Sequence, residues 1–85
     1  MSYKLIIKPS ALNEINSLPA LFQDRIINAI DDLPTNPRPS GCKKLFGSKN
    51  RWRLRIGDYR ILYKLEDSLK EVYVYRVAHR KDVYR

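Results

Sequence analysis

The chain has 85 residues, 44% of them hydrophobic, which is enough for one domain over residues 1–85 with one core and excludes two independently folded units. A single cysteine, Cys42, excludes a disulfide framework and a paired-cysteine metal site, so a reducing compartment is expected and packing, helped by a bound partner, must supply the stability. The net charge of +8, from 17 Lys and Arg against 9 Asp and Glu, points to an acidic or polyanionic partner.

Tyr3, Leu5 and Ile7 alternate with Lys4, Ile6 and Lys8, the period of two that predicts a half-buried strand ended by Pro9. Ser10 is the expected N-cap of a first helix with Leu12, Ile15 and Leu18 on one stripe, and Pro19 closes that helix and opens the next. In the second helix Phe22, Ile26, Ala29, Ile30 and Leu33 recur at spacings of three and four, a stripe that must bury against another layer. Pro34, Pro37, Pro39 and Gly41 cannot continue a helix, and beyond them the pattern turns to β. Residues 43–46 predict a short strand, 47–50 a turn, and 51–56 a strand whose arginines alternate with Trp52, Leu54 and Ile56. Gly57-Asp58 is a two-residue hairpin signal, residues 59–66 the returning strand, and residues 71–78, apolar on both faces, a central strand.

The predicted fold class is α+β, an antiparallel or mixed sheet of about four to five strands with the N-terminal helical hairpin packed on one face. The order is β-α-α-β-β-β, with room for one further short strand. Unbroken alternation puts Arg51, Arg53 and Arg55 on one side, groups Arg60 with Leu62 and Lys64, and groups Arg76 with Arg80, leaving a cationic surface opposite the helices. One β-bulge would reverse everything beyond it. The same counting sets His79 with Tyr73, Tyr75 and Val77 on the helix side. Trp52, Tyr63 and at least one of Tyr73 and Tyr75 are expected in the core, while Glu14, Asp24, Asp31 and Asp32 read as solvated helix faces.

From Arg38 onward basic residues dominate, set among Trp52 and tyrosines. Cations displace counterions from a polyanion and flat rings hold bases, so nucleic acid is the expected partner class. The competing reading is a solvated face or a docking surface for an acidic protein. The stretch from Met1 to Lys8 has neither the apolar length nor the small-residue cleavage site of a secretory signal. No segment approaches the roughly 20 apolar residues that span a bilayer, and a cytoplasmic location is expected.

Three segments carry a resemblance: Lys44-Leu45-Phe46-Gly47, then the run from Arg51 through Gly57-Asp58-Tyr59-Arg60 to Tyr63, then Val77-Ala78-His79-Arg80-Lys81-Asp82-Val83-Tyr84. Together they resemble the RelE-type toxins of the RelE/ParE superfamily over essentially the whole chain. The resemblance implies the toxin of a type II toxin-antitoxin system, an endoribonuclease that cleaves mRNA in the ribosomal A site by attack of a ribose 2′-hydroxyl. It implies no metal and no cofactor, and as partners a RelB-like antitoxin, the ribosome and mRNA. The family's basic pair falls on Arg51 and Arg53, its arginine after the tight turn on Arg60, its arginine at the last strand's exit on Arg80, and its near-terminal tyrosine on Tyr84. Two departures stand out: the best-studied pattern has lysines where this chain has Arg51 and Arg53, and His79 stands where some relatives carry lysine.

Attack by a 2′-hydroxyl needs a base, cations for the extra charge on the phosphorane, and an acid for the departing 5′ oxygen. Arg60 and Arg80 suit the phosphate clamp, since a guanidinium matches two phosphate oxygens and stays charged. Lys43, Lys44, Lys49, Arg51, Arg53, Arg55 and Lys81 are the further candidates for holding RNA. Tyr84 is the candidate base. An ordinary phenol, with a pKa of about 10, is ionised only about one part in a thousand at neutral pH, and neighbouring guanidinium groups favour the phenolate. His79 is the competing acid or base, or a support for the others. Two other functions stay open: a ParE-like gyrase poison without nuclease activity, and a non-catalytic basic RNA-binding module.

Overall fold

The computed structural model describes residues 2–83. In chain order the elements are β1 (Lys4–Ile7), α1 (Pro9–Asn16), α2 (Ala20–Asp32), β2 (Lys43–Lys44), β3 (Arg51–Ile56), β4 (Tyr59–Glu66) and β5 (Glu71–His79). They build one five-stranded sheet in the order β1-β5-β4-β3-β2. β1 runs parallel to β5, and the remaining neighbours are antiparallel. The sheet is therefore mixed, and the residues that read as a central strand do lie between two neighbours.

Both helices start at prolines. Pro9 occupies the first turn of α1 with Lys8 as N-cap, so the expected Ser10 cap is wrong by two residues. A proline loses nothing there, because the first amides of a helix have no partner inside it. Pro19 is the N-cap of α2, and its carbonyl accepts from the amides of Phe22 and Gln23. In α1 Ala11 and Ile15 face inward, while Leu12, expected on the buried stripe, stays 47% exposed.

The core lies between the helices and one face of the sheet. Ala11 and Ile15 of α1 and Ile26 and Ile30 of α2, with Leu33 just beyond, meet Leu54, Ile61, Tyr63, Leu65, Val72, Val74 and Val77. Each Val, Leu or Ile side chain so buried contributes roughly 1.5–3 kcal/mol. Burial raises the phenol of Tyr63 above its ordinary range, the nearby Cys42 thiol adding to it, and the hydroxyl donates to the Pro37 carbonyl at 2.8 Å.

The hairpin between β3 and β4 turns on Gly57, whose φ is 58°; Asp58 does not share a positive φ. A positive φ at the first central position alone is the type II′ pattern, which favours glycine there. Between β4 and β5 the register jumps: Leu62 pairs with Arg76 and Tyr63 with Val74, leaving Tyr75 as the extra residue of a bulge. The bulge keeps Val72, Val74 and Val77 on the helix side despite their uneven spacing. It also corrects the expectation for the tyrosines. Tyr73 and Tyr75 lie on the open face, beneath Lys64 Nζ at 4.9 Å and Arg51 Cζ at 5.4 Å, and neither joins the core. β2 is shorter than expected, ending at Lys44 rather than Phe46.

Candidate nucleic-acid interface

Cross-strand partners share a face, so the register writes out the open side of the sheet rung by rung. One rung runs Arg55, Arg60, Ala78; the next Lys43, Arg53, Leu62, Arg76; the third Arg51, Lys64, Tyr73. Every rung brings at least two cations side by side. Among the described residues the ion pairs are Arg38–Asp67, Arg76–Glu14 and Arg80–Asp58, so Arg51, Arg53 and Arg55 have no carboxylate partner. Like charges placed directly opposite destabilise a sheet, and an incoming polyanion relieves that repulsion. On the middle rung the Nε atoms of Arg53 and Arg76, flanking Leu62, are buried without a hydrogen-bond partner.

The sheet's other cations are spread around this surface. Lys43 is exposed and shares the face of Arg53, whereas Lys44 pairs with Trp52 and so faces the helix side. Lys49 is exposed in the loop between β2 and β3. Lys81 is exposed beyond β5.

Arg60 and Arg80 converge on the β3–β4 turn from neighbouring strands. One terminal nitrogen of Arg60 donates to the carbonyls of Gly57, at 3.2 Å, and Tyr59, at 3.0 Å. The Arg80 amide donates to the Asp58 carbonyl at 2.7 Å. Its guanidinium, 58% exposed, reaches Asp58 only at 3.8 Å. The tight turn thus holds the Arg60 guanidinium and the Arg80 backbone, 20 residues apart in sequence, at one place. Tyr84, the expected base, lies outside the described residues.

The family model for the ParE toxin of type II toxin-antitoxin systems matches residues 5–84. The chain belongs to the RelE/ParE superfamily as a RelE-type toxin. Toxin RelG of Mycobacterium tuberculosis is 29% identical over 86 aligned positions, which cover 100% of this chain and 99% of RelG. Among solved structures, the toxin of the archaeal RelE-RelB complex from Pyrococcus horikoshii OT3 superposes with a TM-score of 0.84 at 26% identity, covering 98% of this chain and 100% of that one. The toxin–antitoxin complex RelBE2 of Mycobacterium tuberculosis gives 0.81 at 26% identity, covering 94% and 100%.

In this toxin His79 stands apart from the arginine rungs. Its ring meets Tyr59 edge-on at 5.5 Å, and Tyr59 in turn packs on Phe22 of α2 at 5.0 Å, all on the helix side. His79 Nδ1 accepts from the Lys81 amide at 3.2 Å, which places the proton of the neutral ring on Nε2. Parity predicted that side for His79 and Val77, which lie there, and also for Tyr73 and Tyr75, which the bulge turns to the open face.

Sequence reasoning missed two residues. Glu14, read as part of a solvated helix face, instead accepts from the Val77 amide at 2.9 Å and pairs with Arg76 at 3.3 Å. Nothing in the spacing of a helix carboxylate reveals a strand edge brought to it from 63 residues away. Phe46, assigned to a strand, is fully exposed in the loop after β2, between Lys44 and Lys49. An unburied ring bounded by lysines was legible as an anomaly once the strand was shortened. No group of three or more His, Cys, Asp or Glu capable of holding a metal occurs among the described residues, and no helix is long and apolar enough to cross a membrane.

Proposed function

We propose that this toxin is a ribosome-dependent endoribonuclease that cleaves mRNA in the A site. The observation that carries the reading is the open face itself: Arg51, Arg53 and Arg55, without carboxylate partners among the described residues, on adjacent rungs running to a turn beside Arg60 and Arg80. In the proposed reaction the 2′-oxygen of a ribose attacks the adjacent phosphorus and the 5′-oxygen departs, taking a proton from solvent water, which leaves a 2′,3′-cyclic phosphate and a free 5′-hydroxyl. Arg60 and Arg80 hold the phosphate oxygens as charge builds on them, with Arg80 on the side of the leaving oxygen. Tyr84 takes the 2′-hydroxyl proton as the general base, a role in which nearby guanidinium groups would favour the phenolate. Arg51, Arg53, Arg55, Lys43, Lys49 and Lys81 bind the RNA backbone, and Lys44, which faces the helix side, is dropped from that set. His79, packed edge-on against Tyr59, supports the exit of β5.

The structural neighbours from Pyrococcus horikoshii and Mycobacterium tuberculosis are toxins bound to antitoxins. By the same reading this toxin is held inactive in the cytoplasm by a RelB-like antitoxin, whose acidic groups oppose the cationic face. Arg80→Ala and Tyr84→Phe should each leave the fold intact and lower codon cleavage by about 100-fold or more, the usual scale for removing a clamp or a base. Primer extension on transcripts after brief induction reads the result, and undiminished cleavage in both variants removes this site assignment.

A second reading is favoured by one observation, that the matching family model is the one for ParE toxins. It makes the protein a gyrase poison with no nuclease activity. Gyrase-dependent DNA breaks without mRNA cleavage after induction would establish it in place of the first.

A further inference from the structure

Of the cations on the middle rung, Arg76 is the one engaged inside the fold. β1 ends at Ile7, opposite Val74, while β5 continues to His79, so the outer edge of β5 beyond Val74 has no strand beside it. Glu14 of α1 fills that place. One carboxylate oxygen accepts from the Val77 amide at 2.9 Å, and the other lies 3.3 Å from one terminal nitrogen of Arg76. The bulge at Tyr75 immediately precedes Arg76, and re-aiming the next side chain is what such bulges do. The second terminal nitrogen of Arg76 donates to the Asp82 carbonyl at 2.9 Å. The Asp82 amide in turn donates to the His79 carbonyl at 2.8 Å, closing the turn after β5. Val83 follows and is only 3% exposed although it lies outside the helix-side core, as does Leu62 on the same rung as Arg76.

We infer that Glu14 and Arg76 form a latch that holds the turn of residues 80–83 against the sheet, and that Arg76 is thereby a positioning residue for Arg80, the first residue of that turn. The inference rests on the nuclease reading for what Arg80 does, but the latch itself does not. A partly exposed ion pair adds little to global stability. Its effect falls on the local opening of the segment it holds, because terminal turns open with far less free energy than the core. Misplacing a reacting group by about 1 Å can cost on the order of 100-fold in rate, so a latch of small energy can carry a large share of the activity.

Arg76→Gln tests this in the full-length toxin. Trypsin digestion under native conditions reads the latch directly, since Arg80 and Lys81 are exposed on the held turn. Cleavage after these two residues should speed up about tenfold while the melting temperature moves little. An unchanged rate overturns the latch. On ribosomes Arg76→Gln should lower kcat about tenfold or more with KM unchanged, and should cost nothing further when added to Arg80→Ala. Arg76→Lys should restore part of the loss. Losses that multiply independently in the double variant overturn the positioning role. Wild-type cleavage by Arg80→Ala overturns the clamp assignment and the positioning role with it, and trypsin alone then decides the latch. Should Arg76→Gln not fold, Glu14→Gln keeps an oxygen for the Val77 amide, removes the charge, and should move the same readouts in the same direction.

Discussion

Tyr63 shows how one buried hydroxyl makes the stability of this fold depend on pH. Its ring is fully buried and its hydroxyl donates to the Pro37 carbonyl, so ionisation would strand a charge in the core. An unfolded phenol ionises at about pH 10, and the folded one is held higher. The contribution of the neutral group is therefore complete below about pH 10 and is lost as pH climbs from the unfolded value toward the folded one. Tyr63→Phe should cost about 1 kcal/mol at neutral pH for the lost hydrogen bond and flatten the alkaline decline. Urea melts from neutral pH to about pH 11 check both, and equally steep declines in the two proteins would place the alkaline sensitivity elsewhere. Phe46 makes a contrasting case at the same scale, because its ring is exposed rather than buried. A base stacking on it gains affinity without displacing counterions. Phe46→Ala should weaken binding to single-stranded RNA while leaving the salt dependence of binding unchanged, whereas Lys49→Ala should make that dependence shallower. Parallel slopes for all three proteins would exclude Lys49 from the interface.

Among the elements, β5 has most influence on what lies where. Removing Tyr75 restores simple alternation, with Val74 inward, Arg76 outward and Val77 inward, so the deletion should yield a folded protein with the same buried valines. It should nevertheless lose the pairing of Arg76 with Glu14, since the bend that aims Arg76 is gone. Circular dichroism and a thermal melt test the first part, and a structure the second; an unfolded product would show that the bulge is needed for the sheet itself. This strand also marks where sequence reading stopped. β3, β4 and their hairpin were legible to the residue, because arginines alternating with apolar side chains and a Gly-Asp turn are local signals. The arginine face followed directly. The bulge was not legible, since Tyr73 and Tyr75 have the composition of core residues and only pairing with β4 reveals the extra one. α1 was misread by two residues for a related reason: Ser10 is a good cap in isolation, but Pro9 fits the first helical position better. Arg60 and Arg80 were assigned through family likeness, and their meeting at one turn depends on a pairing that no local pattern encodes.

For the molecule as a whole, the two faces of the sheet divide the work. Helices cover one, and the other collects cations from β2, β3, β4 and β5. Binding to RNA should consequently be dominated by counterion release, with log affinity falling linearly with log salt concentration. Replacing Arg53 or Arg55 with alanine should reduce that slope by roughly 0.7 each for a single-stranded target. Filter binding over a range of salt concentrations measures it, and slopes equal to wild type in both variants would mean that the open face does not carry the RNA.

The edge of the sheet beside β3 is β2, only two residues long and made of Lys43 and Lys44. A sheet rim of this kind is a poor template for its own copy, because aligning two of them would set ammonium groups against ammonium groups. The molecule can thus keep a broad, sticky cationic plate without growing into ribbons of itself.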